Sequence, residues 1–273
     1  MNEQRPDPVQ AWWRTAIVDI APGSIRIRGY AIEDLIGNLD FSSMVWLMLR
    51  GEVPTMAQAR LLEAALVAAV DHGPQAPSIA IARMTATCGV ALNSAVAAGV
   101  NALGDVHGGA GQQCMELYRA VAGRWDEGMP LERAVEAVLD GFGPDAYVPG
   151  FGHRFHPVDP RAVRLLQLVG QAADAGTVSG RFARIAQAVE ALLERRVGRR
   201  IPMNIDGATA VVFCELDFPP ALGRGLFILS RAVGILAHAW EQMLQGERIK
   251  GPTPPRAGYT YEGVPPRPLP PRT

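Results

Sequence analysis

Residues 219–246 read PPALGRGLFILSRAVGILAHAWEQMLQG. Pro219-Pro220 opens a helix and Gly246 closes it, so the run through Gln245 is one long apolar helix. Arg231 stands inside it with little else polar for two turns on either side. A buried guanidinium in such a place needs an anion. His238 follows seven residues later on the same face, where an ordinary core histidine held by its neighbours is the plainer explanation.

Upstream, helices continue. Ser78 to Leu103 is rich in Ala, Val and Ile with scattered Gly, a composition that lets helices approach backbone to backbone, with a break near Gly89 or Asn93. Phe41 to Arg50 is apolar at helical spacing and stops at Gly51. Thr55-Met-Ala-Gln58 is a capping-box pattern before a stripe of Leu61, Leu62, Ala65, Leu66 and Ala69. Leu131 to Asp140 is amphipathic, Asp159-Pro160 caps a helix to about Ala175, and Ser179 caps another to about Val197. Only Ile17 to Tyr30, alternating around Pro22-Gly23, reads as a hairpin. Trp12-Trp13 is expected to dock on the core or on a partner subunit, and the proline-rich end from Pro252 to be an extended arm. The expected class is all-α.

Hydrophobic residues make up 48% of the 273 and charged residues 19%, enough apolar surface for a large core. A net charge of −1 argues against nucleic acid or an anionic membrane as partner. Cys88, Cys114 and Cys214 are odd in number and far apart, so neither a disulfide framework nor a structural metal site is expected, and a reducing cytoplasm is. The longest clean apolar run, Ala64 to Val70, is too short to span a bilayer, and no signal pattern opens the chain, so a soluble protein is expected.

Three stretches carry chemistry. His107 is framed by glycines in Gly104-Asp-Val-His-Gly-Gly-Ala-Gly111 and runs into a helix start, where free N–H groups stabilise developing negative charge; a loop histidine beside a turn is the alternative. His153, Arg154, His156 and Arg161 form a dense donor set in Gly150 to Arg161. Arg161 falls in a first helical turn, where a cation opposes the macrodipole by roughly 0.3–1 kcal/mol unless an anion sits there; Asp159 reads as the cap of that helix. Asp206 lies between apolar stretches, so its carboxyl is expected to be partly desolvated with a raised pKa, or to cap the helix that follows.

In this order the pieces resemble the citrate synthase superfamily from about Ile25 to Tyr261. The motifs are Ile27-Arg-Gly-Tyr30 with Glu33-Asp-Leu35, Gly51-Glu-Val-Pro-Thr55, Asp71-His72, His107-Gly-Gly-Ala110, Gly152-His-Arg154 with Asp159-Pro-Arg161, Asn204-Ile-Asp206, and Ser230-Arg231 with Gly234 and Ala237-His238. The resemblance implies a catalytic trio of His107, His153 and Asp206. The aspartate takes a proton from the acyl-CoA methyl group, His107 bonds the thioester oxygen, and His153 polarises the ketone of oxaloacetate. His72, Arg161 and Arg231 match the family's dicarboxylate ligands, for which arginine offers paired donors. It further implies a homodimer, no tightly bound cofactor or metal, and coenzyme A thioesters as substrates. The large helical domain would be 1–111 with 218–273, and a small one, 112–217, would close on it. Arg199 and Arg200 are the candidates for coenzyme A phosphates.

The sequence also departs from the synthases. It is shorter, mostly near the N-terminus. Gly207-Ala-Thr-Ala210 stands where synthases have an aromatic, another residue, Ser and Gly, and here it is more similar to citryl-CoA lyase and the citryl-CoA-cleaving module of ATP-citrate lyase. Gly251-Pro252 replaces an Arg-Pro whose arginine reaches the neighbouring subunit's substrate, leaving Arg248, Lys250 or Arg256 as substitutes. Citryl-CoA cleavage is therefore the expected activity. Citrate or 2-methylcitrate synthesis is the near alternative, and a non-catalytic CoA-ester-binding paralogue the distant one.

Overall fold

The computed structural model describes residues 12–143, 147–152 and 157–269. A small antiparallel sheet comes first: β1 (Val18–Ala21), β2 (Ser24–Ile27) and β3 (Tyr30–Ala31), with Ala21 opposite Ser24 across the Pro22-Gly23 turn. Helices follow: α1 (Ile32–Leu35), α2 (Phe41–Arg50), α3 (Met56–Ala69), α4 (Pro77–Ala86), α5 (Leu92–Asn101), α6 (Ala110–Asp126), α7 (Leu131–Leu139), α8 (Pro160–Asp174), α9 (Arg181–Val197), α10 (Ile205–Glu215) and α11 (Pro220–Gln245). The all-α class holds.

The described chain forms two compact units. One comprises the residues up to Asp71 with Gly104–Arg231, the other His72–Leu103 with Ala232 onward. In the first unit α10 is the centre. Every residue from Gly207 to Cys214 is buried, because only Thr209 among them is polar and its Oγ1 folds back onto the Ile205 carbonyl at 2.9 Å. A helix apolar all round must be covered all round. Helices α3, α6, α8 and α9 do so, with Tyr118, Leu165, Val189 and Phe218 among the wholly buried side chains. Helix α3 has both bonds of the expected capping box, between Thr55 and Gln58.

In the second unit α4 and α5 pack so closely that a Cβ on Gly99 would lie 2.8 Å from the Ser78 carbonyl and from Ile235. His238 is held as the plain explanation required. Arginine can only donate, so Nδ1, 3.1 Å from Arg83 Nη1, accepts, which puts the ring proton on Nε2. Arg83 also bonds Glu241 and Gln245.

Three expectations need correction. Trp12 and Trp13 do not dock on their own core: they are 78% and 86% exposed. By length and composition α11 can cross a bilayer, although no single unbroken run suggested it; in the first unit, however, Ser230 bonds the Leu66 carbonyl and Arg231 the Ala69 carbonyl, which makes that part a core helix. Asp217, just before α11, has a left-handed backbone (φ 55°) and is gripped by Arg50 and Arg119.

The third correction concerns α9. Its N-cap position is Gly180, and Ser179 contributes one of several bonds there, its Oγ accepting from Arg181 N at 3.1 Å. The helix start is satisfied from outside by Glu215 at the end of α10: Oε2 accepts from the Ser179 and Gly180 N–H groups and the Ser179 hydroxyl, and Oε1 from the Phe182 N–H at 2.6 Å. A carboxylate on several N–H groups is a strong form of cap. Glu215→Ala is expected to cost about 1–3 kcal/mol, lowering Tm by roughly 3–8 °C. A thermal melt followed by circular dichroism checks this; an unchanged Tm means water replaces the carboxylate at no cost.

Candidate active site

The buried helix α10 begins where the candidate residues converge. Its first N–H groups cannot reach bulk water, and each finds a protein acceptor. Asn204, extended at φ −100°, is the N-cap: its Oδ1 accepts from Asp206 N at 3.0 Å and Gly207 N at 3.3 Å. Asp159 Oδ2 accepts from Ile205 N at 3.1 Å. Asp206 is therefore not the cap, and its carboxyl is available for other work.

Asp159 is wholly buried and has two further tasks. Its Oδ1 caps α8 by accepting from Arg161 N at 3.0 Å, and its two oxygens take Arg161 Nε at 3.0 Å and Nη2 at 2.9 Å. Asp159 thus offsets part of the conflict between Arg161 and the α8 dipole. The same carboxylate ties the starts of α8 and α10 together.

The loop before the Gly152-His153 motif lies directly on α10. Asn204 N donates to the Gly150 carbonyl at 3.0 Å, Asn204 Nδ2 to the Gly152 carbonyl at 2.8 Å, and Gly152 N to the Pro202 carbonyl at 2.7 Å. A Cβ on Gly207 would lie 2.4 Å from the Gly150 carbonyl oxygen, and one on Gly150, whose φ is +85°, would lie 2.5 Å from Cys114 Sγ. Neither position admits a side chain without moving the loop. This gives a physical reason for glycine where synthases have an aromatic. His153, Arg154 and His156 lie outside the described residues.

His107 sits in a tight turn, Gly104 N to the His107 carbonyl at 2.8 Å, ending at the start of α6. Gly109 packs against Asp105, 2.4 Å from its carbonyl oxygen to an added Cβ. The turn is fastened outward by Asp105 to Arg224 (2.6 Å), and Gln113 Nε2 donates to the Asp105 carbonyl at 3.2 Å.

Charge links these pieces. Arg231 is 4% exposed, with its guanidinium 5.0 Å from the Phe227 ring centre and Nε on the Ala69 carbonyl at 3.0 Å. Burial lowers its pKa, and Asp206 and then Asp71 counteract this. Asp206 is raised above the ordinary carboxylate value, chiefly by burial, against the pull of Arg231 and Arg161 and with a push from Asp159. His107 is lowered by burial and then by Arg231, so it is a neutral ring at pH 7. The first unit therefore groups His107, Asp206, Arg161 and Arg231. His72 begins the second unit.

Beside this group is a cavity of about 740 Å³. Val106, Ala110, Val148, Phe151, Leu193 and Ile201 make most of its wall, and Asp105, Gln113 and Tyr147 are its polar side chains. Arg199 and Arg200 are exposed and do not line it; Arg200 Nη2 lies 3.4 Å from Glu190. Two contributors escaped the sequence: Asn204 as the cap, which its place just before an apolar helix does signal, and Tyr147, for which no local pattern speaks. The buried thiols of Cys114 and Cys214 are both raised by burial, Cys214 to about 12, whereas Cys88 is exposed.

The raised Asp206 pKa has a consequence for stability. The folded state holds the proton more tightly than the unfolded one, so the contribution of Asp206 is fully present below its unfolded pKa and is lost as pH rises through the folded value. Asp206→Asn is expected to melt at or above the wild-type temperature at pH 7–8, with the gap closing towards pH 4. A variant that melts lower at pH 8 than at pH 4, relative to wild type, shows that the ionised carboxylate is stabilising and contradicts this assignment.

A profile of the citrate synthase C-terminal domain matches residues 55–253. The citrate synthase of Haloferax volcanii is 32% identical over 217 residues, 79% of this chain and 54% of that protein; that of Synechocystis is 29% identical over 79% of this chain and 52% of its own length. The chain thus spans about half the length of these curated relatives. The solved citryl-CoA lyase of Hydrogenobacter thermophilus superposes with a TM-score of 0.83 at 35% identity, covering 95% of this chain and 98% of that one. ATP citrate lyase of Methanosaeta concilii shares the fold, with a TM-score of 0.77 at 20% identity over 43% of its chain. A helical chain built around a buried aspartate-bearing helix start, matched by that profile over most of its length, belongs to the citrate synthase family.

Proposed function

We propose that the protein cleaves citryl-CoA to acetyl-CoA and oxaloacetate. The observation that supports this is at the start of α10: Asp206 has a raised pKa and feels the charge of Arg231 and Arg161, and Arg231 also acts on His107. Similarity along nearly the full length of a citryl-CoA lyase, against half the length of synthases, favours cleavage.

The chemistry follows from those protonation states. Cleavage removes the proton of the tertiary alcohol, breaks the adjacent carbon–carbon bond, and leaves a ketone and the enolate of the thioester. The enolate carbon then takes a proton to become the methyl group. A carboxyl whose pKa is raised by burial keeps that proton to higher pH, which suits Asp206 as the donor. A neutral His107 gives an N–H to the thioester oxygen without competing for the proton. Arg231, buried and only partly balanced by Asp206 and Asp71, favours a substrate carboxylate, and Arg161 adds a second cation. By the resemblance His153 polarises the ketone of oxaloacetate, the group that the alcohol becomes on cleavage. The apolar cavity suits the uncharged arm of coenzyme A, with the phosphates outside it. The three free cysteines support a reducing, cytoplasmic setting.

Purified protein given synthetic citryl-CoA should release acetyl-CoA and oxaloacetate, and Asp206→Asn should lose roughly 10²–10⁴ in kcat while oxaloacetate binding stays near wild type. Citrate formed from acetyl-CoA and oxaloacetate at a rate well above citryl-CoA cleavage would replace this proposal with the synthase, which uses the same residues plus thioester hydrolysis.

A homodimer is part of the proposal. Val233, Leu236, Trp240 and Leu244 form an exposed apolar stripe along α11 in the second unit, and Trp12 and Trp13 are exposed as well. Light scattering at micromolar concentration should give about twice the 29.3 kDa chain mass; an active monomer contradicts it.

A further inference from the structure

The turn that carries His107 is soft by composition. Gly104, Gly108, Gly109 and Gly111 make up half of residues 104–111, and Gly108 takes a φ of +103°. Glycine leaves the backbone free to move, so a fixed His107 needs fastenings. Some of these are local. Gly104 N closes the turn on the His107 carbonyl at 2.8 Å, and Gln113 Nε2 donates to the Asp105 carbonyl at 3.2 Å. Both lie in the turn or in α6, which follows it directly. They give the turn its shape without tying it to a distant element. Arg224 supplies that tie: from the first turns of α11, its Nη2 donates to Asp105 Oδ1 at 2.6 Å.

Stability does not explain this link. The Asp105 side chain is 78% exposed, and an ion pair at the edge of solvent contributes little. What it connects does explain it. The Arg224 side chain is three-quarters buried, so its guanidinium is confined. It stands seven residues before Arg231, two helical turns along the same face of α11, and both lie in the first unit. One helix therefore bears the arginine proposed for a substrate carboxylate and the arginine that holds the turn of His107. Resting on the functional proposal above, we infer that Arg224 is a positioning residue: through Asp105 it holds the His107 turn in register with Arg231, so that a substrate bound by its carboxylate presents its thioester oxygen to the His107 ring. Arg224 itself touches no substrate. A histidine displaced by an ångström loses bonding to the transition state, while binding by the other residues is kept.

Arg224→Met keeps an apolar stem and removes the donor. Its kcat for citryl-CoA cleavage should fall roughly 10- to 10²-fold, with KM and Tm near wild type. Arg224→Lys should restore most of the loss, because one contact to one carboxylate oxygen suits an ammonium. In a His107→Ala background, Arg224→Met should leave kcat within about twofold, since residues that act as a unit do not add. Losses that multiply in the double variant, a raised KM with kcat unchanged, or a collapse of Tm each overturn the inference. A second readout needs no turnover. Burial lowers the His107 pKa, and a loosened turn admits water to the ring. Proton NMR titration, with His107 identified by the signal missing from His107→Ala, should therefore show that pKa rising in Arg224→Met and also in Asp105→Ala. A direct effect of charge would move the two variants in opposite directions, and that result, or an unmoved His107, contradicts the clasp. Wild-type protein that releases no acetyl-CoA from citryl-CoA sinks the functional proposal and this inference with it, an outcome distinct from Arg224→Met cleaving as fast as an active wild type.

Discussion

A helix that is apolar on every side has to be buried, and a buried helix start has three or four N–H groups that water cannot serve. In α10 these are met by Asn204 and Asp159, and much of the site follows from that necessity. Asp159 accepts from Ile205, from the start of α8 and from Arg161, so it brings a cation with it. Asn204 must be extended to cap, so its N–H and Nδ2 face the Gly150–Gly152 loop and hold it. What positions the loop is also what satisfies the helix.

The same burial sets the protonation states. It moves an acid up and a base down, so the carboxyl of Asp206 holds its proton to higher pH than an ordinary aspartate and the imidazole of His107 loses its proton at lower pH than an ordinary histidine. Two arginines keep the acid from shifting further, and their own charge is a demand that an anionic substrate meets. Acid strength and substrate affinity are therefore not separate properties of this site. A substrate carboxylate that takes charge from Arg231 weakens the grip of that arginine on Asp206 and pushes the acid up again, towards the protonated form.

Local rules read most of the helical frame. Gly51, the Thr55–Gln58 box, Asp159-Pro160 and the Pro220 to Gly246 helix behave as their neighbours in sequence dictate. What could not be read is what acts across the chain. Glu215 caps a helix that begins some thirty residues earlier, so the sequence showed only the share that Ser179 takes. Nothing in sequence shows that Asp159 folds back on Arg161 through both of its oxygens. Gly207 was a departure without a cause until Gly150 appeared against it. His107 and Asp206 were legible because their chemistry is local: glycines around one, apolar residues around the other. Tyr147 was not, because its meaning comes from a cavity.

The three thiols divide sharply in their access to solvent. Cys114 sits under Gly150 and Cys214 on the far part of the same buried helix, both protonated and sealed, while Cys88 lies open. Only thiolates react with alkylating reagents. In the native chain such a reagent therefore consumes Cys88 at once and must wait for the core to part before it reaches the others. Slow labelling of Cys114 and Cys214 thus times the opening of α6 from α10, the breathing that would release the Gly150 loop and dismantle the acid's surroundings.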